Sequence, residues 1–175
     1  MSNTASSSAA LPIARIMLRI LIVVNWVMVP LILALLFVVP NERWIISALD
    51  LSPSLETSRV VMGLRAIAAL GLVGIPLNYA VLRRLLAIVE TVRAGDPFVA
   101  ANASRLQAIA WVLLALQLLS IVIGSIAKTI STPAHPVNLD AGFSINGWLA
   151  VLLTFVLARV FAAGTLMRED LEGTV

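Results

Sequence analysis

The sequence predicts an all-α membrane protein: four transmembrane helices, both termini cytoplasmic, and the second and third helices prolonged into a cytoplasmic helical hairpin. Three observations predict it. Of 175 residues, 61% are hydrophobic and 12% charged, more apolar side chain than a soluble domain of this length can bury. The apolar residues fall into four long runs nearly free of charge, separated by short polar segments, as bilayer-spanning helices require. Arginine gathers at alternate ends of those runs, which sets the orientation.

Met1 to Ala10 is rich in Ser and Ala without a charged side chain, and is expected to be disordered. The run after Arg15 and Arg19 is about twice the length of a signal h-region and lacks a small-residue cleavage site at its end. It reads as the first transmembrane helix, 16–39, bent at Pro30, with Asn25 facing other helices. The following loop holds Trp44 and Leu49 in a pattern suited to an interfacial turn. Ser52-Pro53 is a good N-cap and first-turn pair, so the second helix is expected over 53–94. Gly71, Gly74 and Pro76 mark its middle as a place of close approach and bending.

Past Leu82 the pattern becomes amphipathic. Leu82, Leu85, Leu86, Val89 and Val92 recur at helical spacing while Arg83, Arg84, Glu90 and Arg93 take the other face, so the helix should leave the membrane as a stalk. Gly95 is the expected C-cap, Asp96 the cap of the next helix and Pro97 its first position. The third helix is placed at 98–130. A loop broken by Pro133 and Pro136 follows, then a fourth helix at 143–167 beginning near Trp148, and an acidic cytoplasmic tail at 168–175. Residues 11–167 form one four-helix transmembrane domain. Arg15, Arg19, Arg83, Arg84, Arg93, Arg105 and Arg168 all fall on one side of such a bundle, which the positive-inside rule makes the cytoplasmic side of an inner membrane.

Composition also narrows the chemistry. The net charge of +3 comes from basic residues spread over helix ends, a pattern of orientation and not of direct nucleic-acid binding. With no cysteine and one histidine, thiol nucleophiles, thiolate metal sites and an intrachain bis-histidine haem are excluded. His135 between two prolines, with Asp140 nearby, reads as a loop residue and not a metal ligand. Neither a nucleophile with base and orienter nor a facing carboxylate pair can be assembled, so no catalytic, cofactor or metal site is expected.

The polar residues expected within the membrane are Asn25, Arg65, Asn78, Gln117 and Arg159, read as interhelical hydrogen bonds or snorkelling ends. Arg83 and Arg84 are explained by anionic headgroups. Arg93 and Arg105 flank the turn farther from lipid, and with Asp96, an exposed Phe98 and Asn102 they suggest a docking surface; Phe98 packing between the stalk helices is the equal alternative. Glu169, Asp170 and Glu172 either fold back on the hairpin arginines or meet a basic partner.

Ile88 to Phe98 with the Gly95-Asp96-Pro97-Phe98 turn, then Asn102, Arg105-Leu106 and Trp111, resembles a bacterial family of four-helix membrane proteins of unknown function. The ending Val160-Phe161, Gly164, Leu166 and Arg168 to Val175 is similar to the close of that family. The chain departs from it at Ala100-Ala101, where the family pattern has a proline and a glutamate. Family members are often encoded beside a small Cro/repressor-type helix-turn-helix regulator. The resemblance implies a non-enzymatic membrane protein that holds or senses for such a regulator through its hairpin and tail. The alternative from the residues is a lipid or small apolar ligand binder, or small transporter, with a cavity near Pro30, Gly74 and Pro76 lined by Asn25, Asn78 or Gln117. A structural subunit of a larger membrane complex is a third reading.

Overall fold

The computed structural model describes residues 4–38, 55–131 and 139–172, with side chains described over 10–37, 58–131 and 139–170. Among them are four helices and no strand: α1 (Thr4–Val38), α2 (Leu55–Arg93), α3 (Ala100–Ile130) and α4 (Ile145–Glu172). Each contains a segment long and apolar enough to cross a membrane. The chain is therefore a multi-pass membrane protein. Trp44, Ser52-Pro53 and His135 lie outside the described residues.

α1 begins at Thr4, within the stretch expected to be disordered. The Ser-Ala run contains no helix breaker, and alanine is the strongest helix former, so the helix extends back past Pro12. α4 likewise runs on through Glu172. The segment from Arg168 is thus the last part of a helix and not a separate tail.

The helices pack in chain order, α1 on α2, α2 on α3 and α3 on α4. No other pair packs comparably among the described residues, so the arrangement is a row more than a closed bundle. α1 shows what this does to a sequence. Its least exposed positions are Leu11, Ala14, Leu18, Ile22, Asn25, Val29, Ile32 and Leu36, the alternating three- and four-residue step of a coiled-coil seam. Over residues 10–37 everything else on α1, Pro30 included, is exposed apart from Arg15, as a helix with one protein neighbour and lipid elsewhere should be.

Three contacts fix the register of α2 against α3: Thr91 with Asn102, and Gly74 with Leu119 and Gly63 with Ile130. The same offset sets Arg83 level with Ala110 and Arg65 level with Lys128. Against α1, Arg15 meets Glu90, Trp26 meets Tyr79 edge-on, and Asn25 Nδ2 donates to the carbonyl of Ile75 at 3.2 Å. Arg19 then falls at the level of Arg83 and Arg84. Between the level of Arg65 and Lys128 and that of Arg83, α1, α2 and α3 carry no charged residue. That slab is eighteen residues deep, about 27 Å of helix, close to the hydrocarbon thickness of a bilayer.

α4 is offset from this slab. Gln117 lies against Gly147, Trp111 packs edge-on to Phe155 with ring centroids 5.3 Å apart, and Phe98 packs on Phe161. α4 therefore starts near the middle of α3, and its second half runs beside the hairpin. The non-helical chain before it sits inside the slab, with Ala141 and Gly142 against Gly124. Backbone groups at that depth need partners. Ser120 provides them: Gly142 N–H donates to Ser120 Oγ at 3.1 Å, and Ser120 Oγ lies 3.3 Å from the Gly142 carbonyl.

Candidate functional site: a braced hairpin tip and the groove beside it

Local sequence makes the turn. Gly95 adopts φ 86°, a conformation that side chains disfavour. Around it Asp96 N–H donates to Thr91 O and Gly95 N–H to Val92 O, both at 3.1 Å, the paired bonds of a Schellman helix end. The expected C-cap at Gly95 is present. The start of α3 differs from expectation: Val99 is its N-cap residue, with extended backbone and no side-chain capping bond, and Asp96 and Pro97 precede it outside the helix. Ala100-Ala101 supplies no capping side chain, and Asp96 is engaged elsewhere.

Asn102 holds the turn together. It is fully buried, its Nδ2 donates to Thr91 Oγ1 at 2.7 Å and to the Pro97 carbonyl at 2.9 Å, and its Oδ1 accepts from Arg105 Nη1 at 2.7 Å. One side chain therefore ties the end of α2, the turn and the first turns of α3. Of the two residues expected at a docking face, the structure places Asn102 inside the tip and Arg105 half-buried beside it. Asn102 is out of reach, and Arg105 is half-buried with its Nη1 donated to Asn102.

The outer helices then fasten onto this tip. Arg168 of α4 forms a salt bridge with Asp96. Phe98 packs against Phe161 with ring centroids 5.4 Å apart, and a Cβ at Gly164 would come within 2.9 Å of the Phe98 ring, so α4 needs glycine there. Phe98 is thus seated on α4 and not between the two stalk helices. From the other side, Arg15 of α1 contacts Glu90 at 2.6 Å, as a charge contact without the alignment of a hydrogen bond. Arg93 reaches the same carboxylate at 3.3 Å. Among the proposed docking groups, Arg93, Phe98 and Glu169 are exposed, as is Asp170, which is engaged in an interaction; the side chain of Glu172 lies outside the described residues.

Comparison with family models, with curated proteins and with solved structures finds no match. The resemblance to the four-helix family rests on its motif residues.

The polar residues expected within the membrane separate into different roles. Asn25 is bound to α2, Arg65 lies at the loop-end level and is engaged, and Asn78 is exposed. Gln117 is buried against Gly147, with its Nε2 unpartnered among the described residues. Near the expected cavity, a Cβ at Gly74 would meet Leu119 at 3.7 Å and one at Gly71 would meet Ile32 at 3.6 Å, ordinary contact distances.

A different concavity does exist, between α3 and α4 on the hairpin side of Trp111 and Phe155, with a volume of about 580 Å³. Ala103, Ala158 and Ala162 line it, Trp111 and Phe155 lie at one end, Ser104, Gln107 and Arg159 follow, and Glu169 stands at the other end. Sequence reasoning flagged Arg159 and Glu169 but missed the groove. Its signal was the small residues Ala100, Ala103, Ala158 and Ala162 at three- and four-residue steps, which become meaningful only once the two helices are known to pair.

Proposed function

We infer that this chain is a non-enzymatic, multi-pass bacterial inner-membrane protein whose hairpin tip is a cytoplasmic platform for a helix-turn-helix regulator. The observation that carries this reading is the bracing of one turn by all four helices, through Arg15–Glu90, Asn102, Phe98–Phe161 and Arg168–Asp96. A turn that only joined two spans would need none of these long-range contacts. A preorganised surface binds with less ordering cost. The arginines at the Arg83 level and beyond orient that end inward, and the stalk from Arg84 to Arg93 carries the tip about 14 Å past the charge-free slab. The family resemblance supports the kind of partner.

The exposed acidic group that faces a basic, DNA-reading partner is Glu169, with Arg93, paired to Glu90, at the rim. Co-expression with a Cro/repressor-type helix-turn-helix regulator and capture from solubilised membranes tests the reading. The regulator is retained by the parent chain, and removal of residues 169–175 or the reversal Arg93→Glu releases it. Retention by both variants means that this surface is not the docking face.

A further inference from the structure

Several charged side chains at the hairpin end have partners: Arg15 and Arg93 pair with Glu90, Arg168 with Asp96, while Arg105 donates to Asn102 and Arg84 to the Ala80 carbonyl. The α3–α4 groove is different. Arg159 and Gln107 both line it and have no partner among the described residues. Ser104 Oγ donates to the Ala101 carbonyl and keeps its acceptor lone pairs for another donor.

The order of residues along the groove is that of a lipid molecule. α3 and α4 run in opposite directions, and Trp111 and Phe155 meet at the level of Arg83, where the charge-free slab ends. One helical turn beyond them, about 6 Å, come Gln107 on α3 and Arg159 on α4. An acyl chain entering from the slab would lie over the Trp111 and Phe155 rings, and a phosphate at its end would arrive between a guanidinium and an amide. Guanidinium–phosphate contacts are among the stronger charge-assisted hydrogen bonds. Glu169 does not cancel this attraction. It lies ten residues beyond Arg159 on the same helix, about 15 Å, and exposed charges so far apart are screened at physiological ionic strength.

We propose that the α3–α4 groove binds one anionic phospholipid, its phosphate held by Arg159 and Gln107 and its proximal acyl chain laid on Trp111 and Phe155. The volume suits a headgroup with part of a chain. The site stands independently of any regulator, so failure of partner capture leaves it untouched. Because the groove also adjoins the Phe98–Phe161–Gly164 seat, an occupied site braces α4 against the tip.

Native mass spectrometry of the full chain, released from nanodiscs of phosphatidylcholine doped with phosphatidylglycerol, tests the proposal. The parent chain retains one phosphatidylglycerol. Arg159→Gln weakens retention about tenfold, the loss of one charged contact. Arg19→Gln and Arg83→Gln, exposed arginines at the same boundary, change it by less than about twofold. If Arg159→Gln does not fold, Gln107→Leu carries the test, with retention reduced several-fold. The proposal is overturned if phosphatidylglycerol is not retained, if Arg19→Gln or Arg83→Gln weakens it as much as Arg159→Gln, or if glycerol phosphate or inorganic phosphate displaces the lipid at equal concentration. That last result would mark a site for a soluble phosphate.

Discussion

Replacing Asn102 with alanine should loosen the hairpin tip more than any other single polar substitution in the chain. The residue is fully buried and makes three hydrogen bonds, to Thr91 Oγ1, to the Pro97 carbonyl and from Arg105. Two neutral bonds are worth about 1 kcal/mol each and one to a charged group about 1.5–3 kcal/mol. Arg105 is half-buried and recovers part of its loss from water, so the expected destabilisation is about 3 kcal/mol. Asn102→Asp separates the components. It keeps the acceptor for Arg105, loses both donors and sets a carboxylate against the Pro97 carbonyl, for a cost of about 1–3 kcal/mol. Unfolding in mixed micelles, followed by tryptophan fluorescence, gives the stabilities, and amide exchange across Gly95 to Val99 locates the loosening. A double-mutant cycle of Asn102→Ala with Thr91→Val should show about 1 kcal/mol of coupling. A loss below about 0.5 kcal/mol for Asn102→Ala, or unchanged exchange in the turn, refutes the assignment of Asn102 as the pin.

Gly164→Leu should displace Phe98 from α4, since even a Cβ there crowds the ring; a cost of about 1–3 kcal/mol is expected, with faster proteolysis of the hairpin as a second readout. Gly124→Val should unseat the chain before α4, because a Cβ would come within 2.6 Å of the Ala141 carbonyl oxygen; the melting temperature should fall, and Ser120→Ala, which removes both contacts to Gly142, should lower it in the same direction. The exposed pair Arg168–Asp96 behaves differently, with Asp96→Asn costing less than about 1 kcal/mol and the effect fading in high salt. Gln117→Leu should be neutral or stabilising, since its buried Nε2 has no partner; a loss above about 1 kcal/mol would reveal a bond to a water or another group.

Much of the fold was legible because the signals are local. Charge-free runs gave the four helices to within a few residues at most ends, and Gly95 announced the end of α2 because only glycine takes its backbone angle readily. What was not legible depends on pairing between distant segments. Arg15 and Glu90, or Asp96 and Arg168, are unremarkable charges in sequence, and Asp96 next to Pro97 carries a strong local helix-start signal. In the structure Asp96 pairs with Arg168 and α3 begins at Ala100. Phe98 was read as free or packed within its own hairpin, because nothing near it in sequence reveals that Gly164 clears a space for it. Asn102 looked like a surface group, yet its amide has the donors and acceptor that the turn needs. The groove was invisible for the same reason: its residues come from two helices whose offset is set by Gly147 and Gly124, not by hydropathy.

The account turns on where the braced tip stands. The chain has no cysteine, so single cysteines at Ala94, beside the turn, and at Asp140, before α4, can be labelled with a membrane-impermeant maleimide in intact bacterial cells. The account predicts that Ala94→Cys is labelled only after the membrane is permeabilised, whereas Asp140→Cys is labelled without it, even if slowly for its depth. Labelling of Ala94→Cys in intact cells would put the tip outside, beyond reach of any cytoplasmic regulator, and would contradict the account.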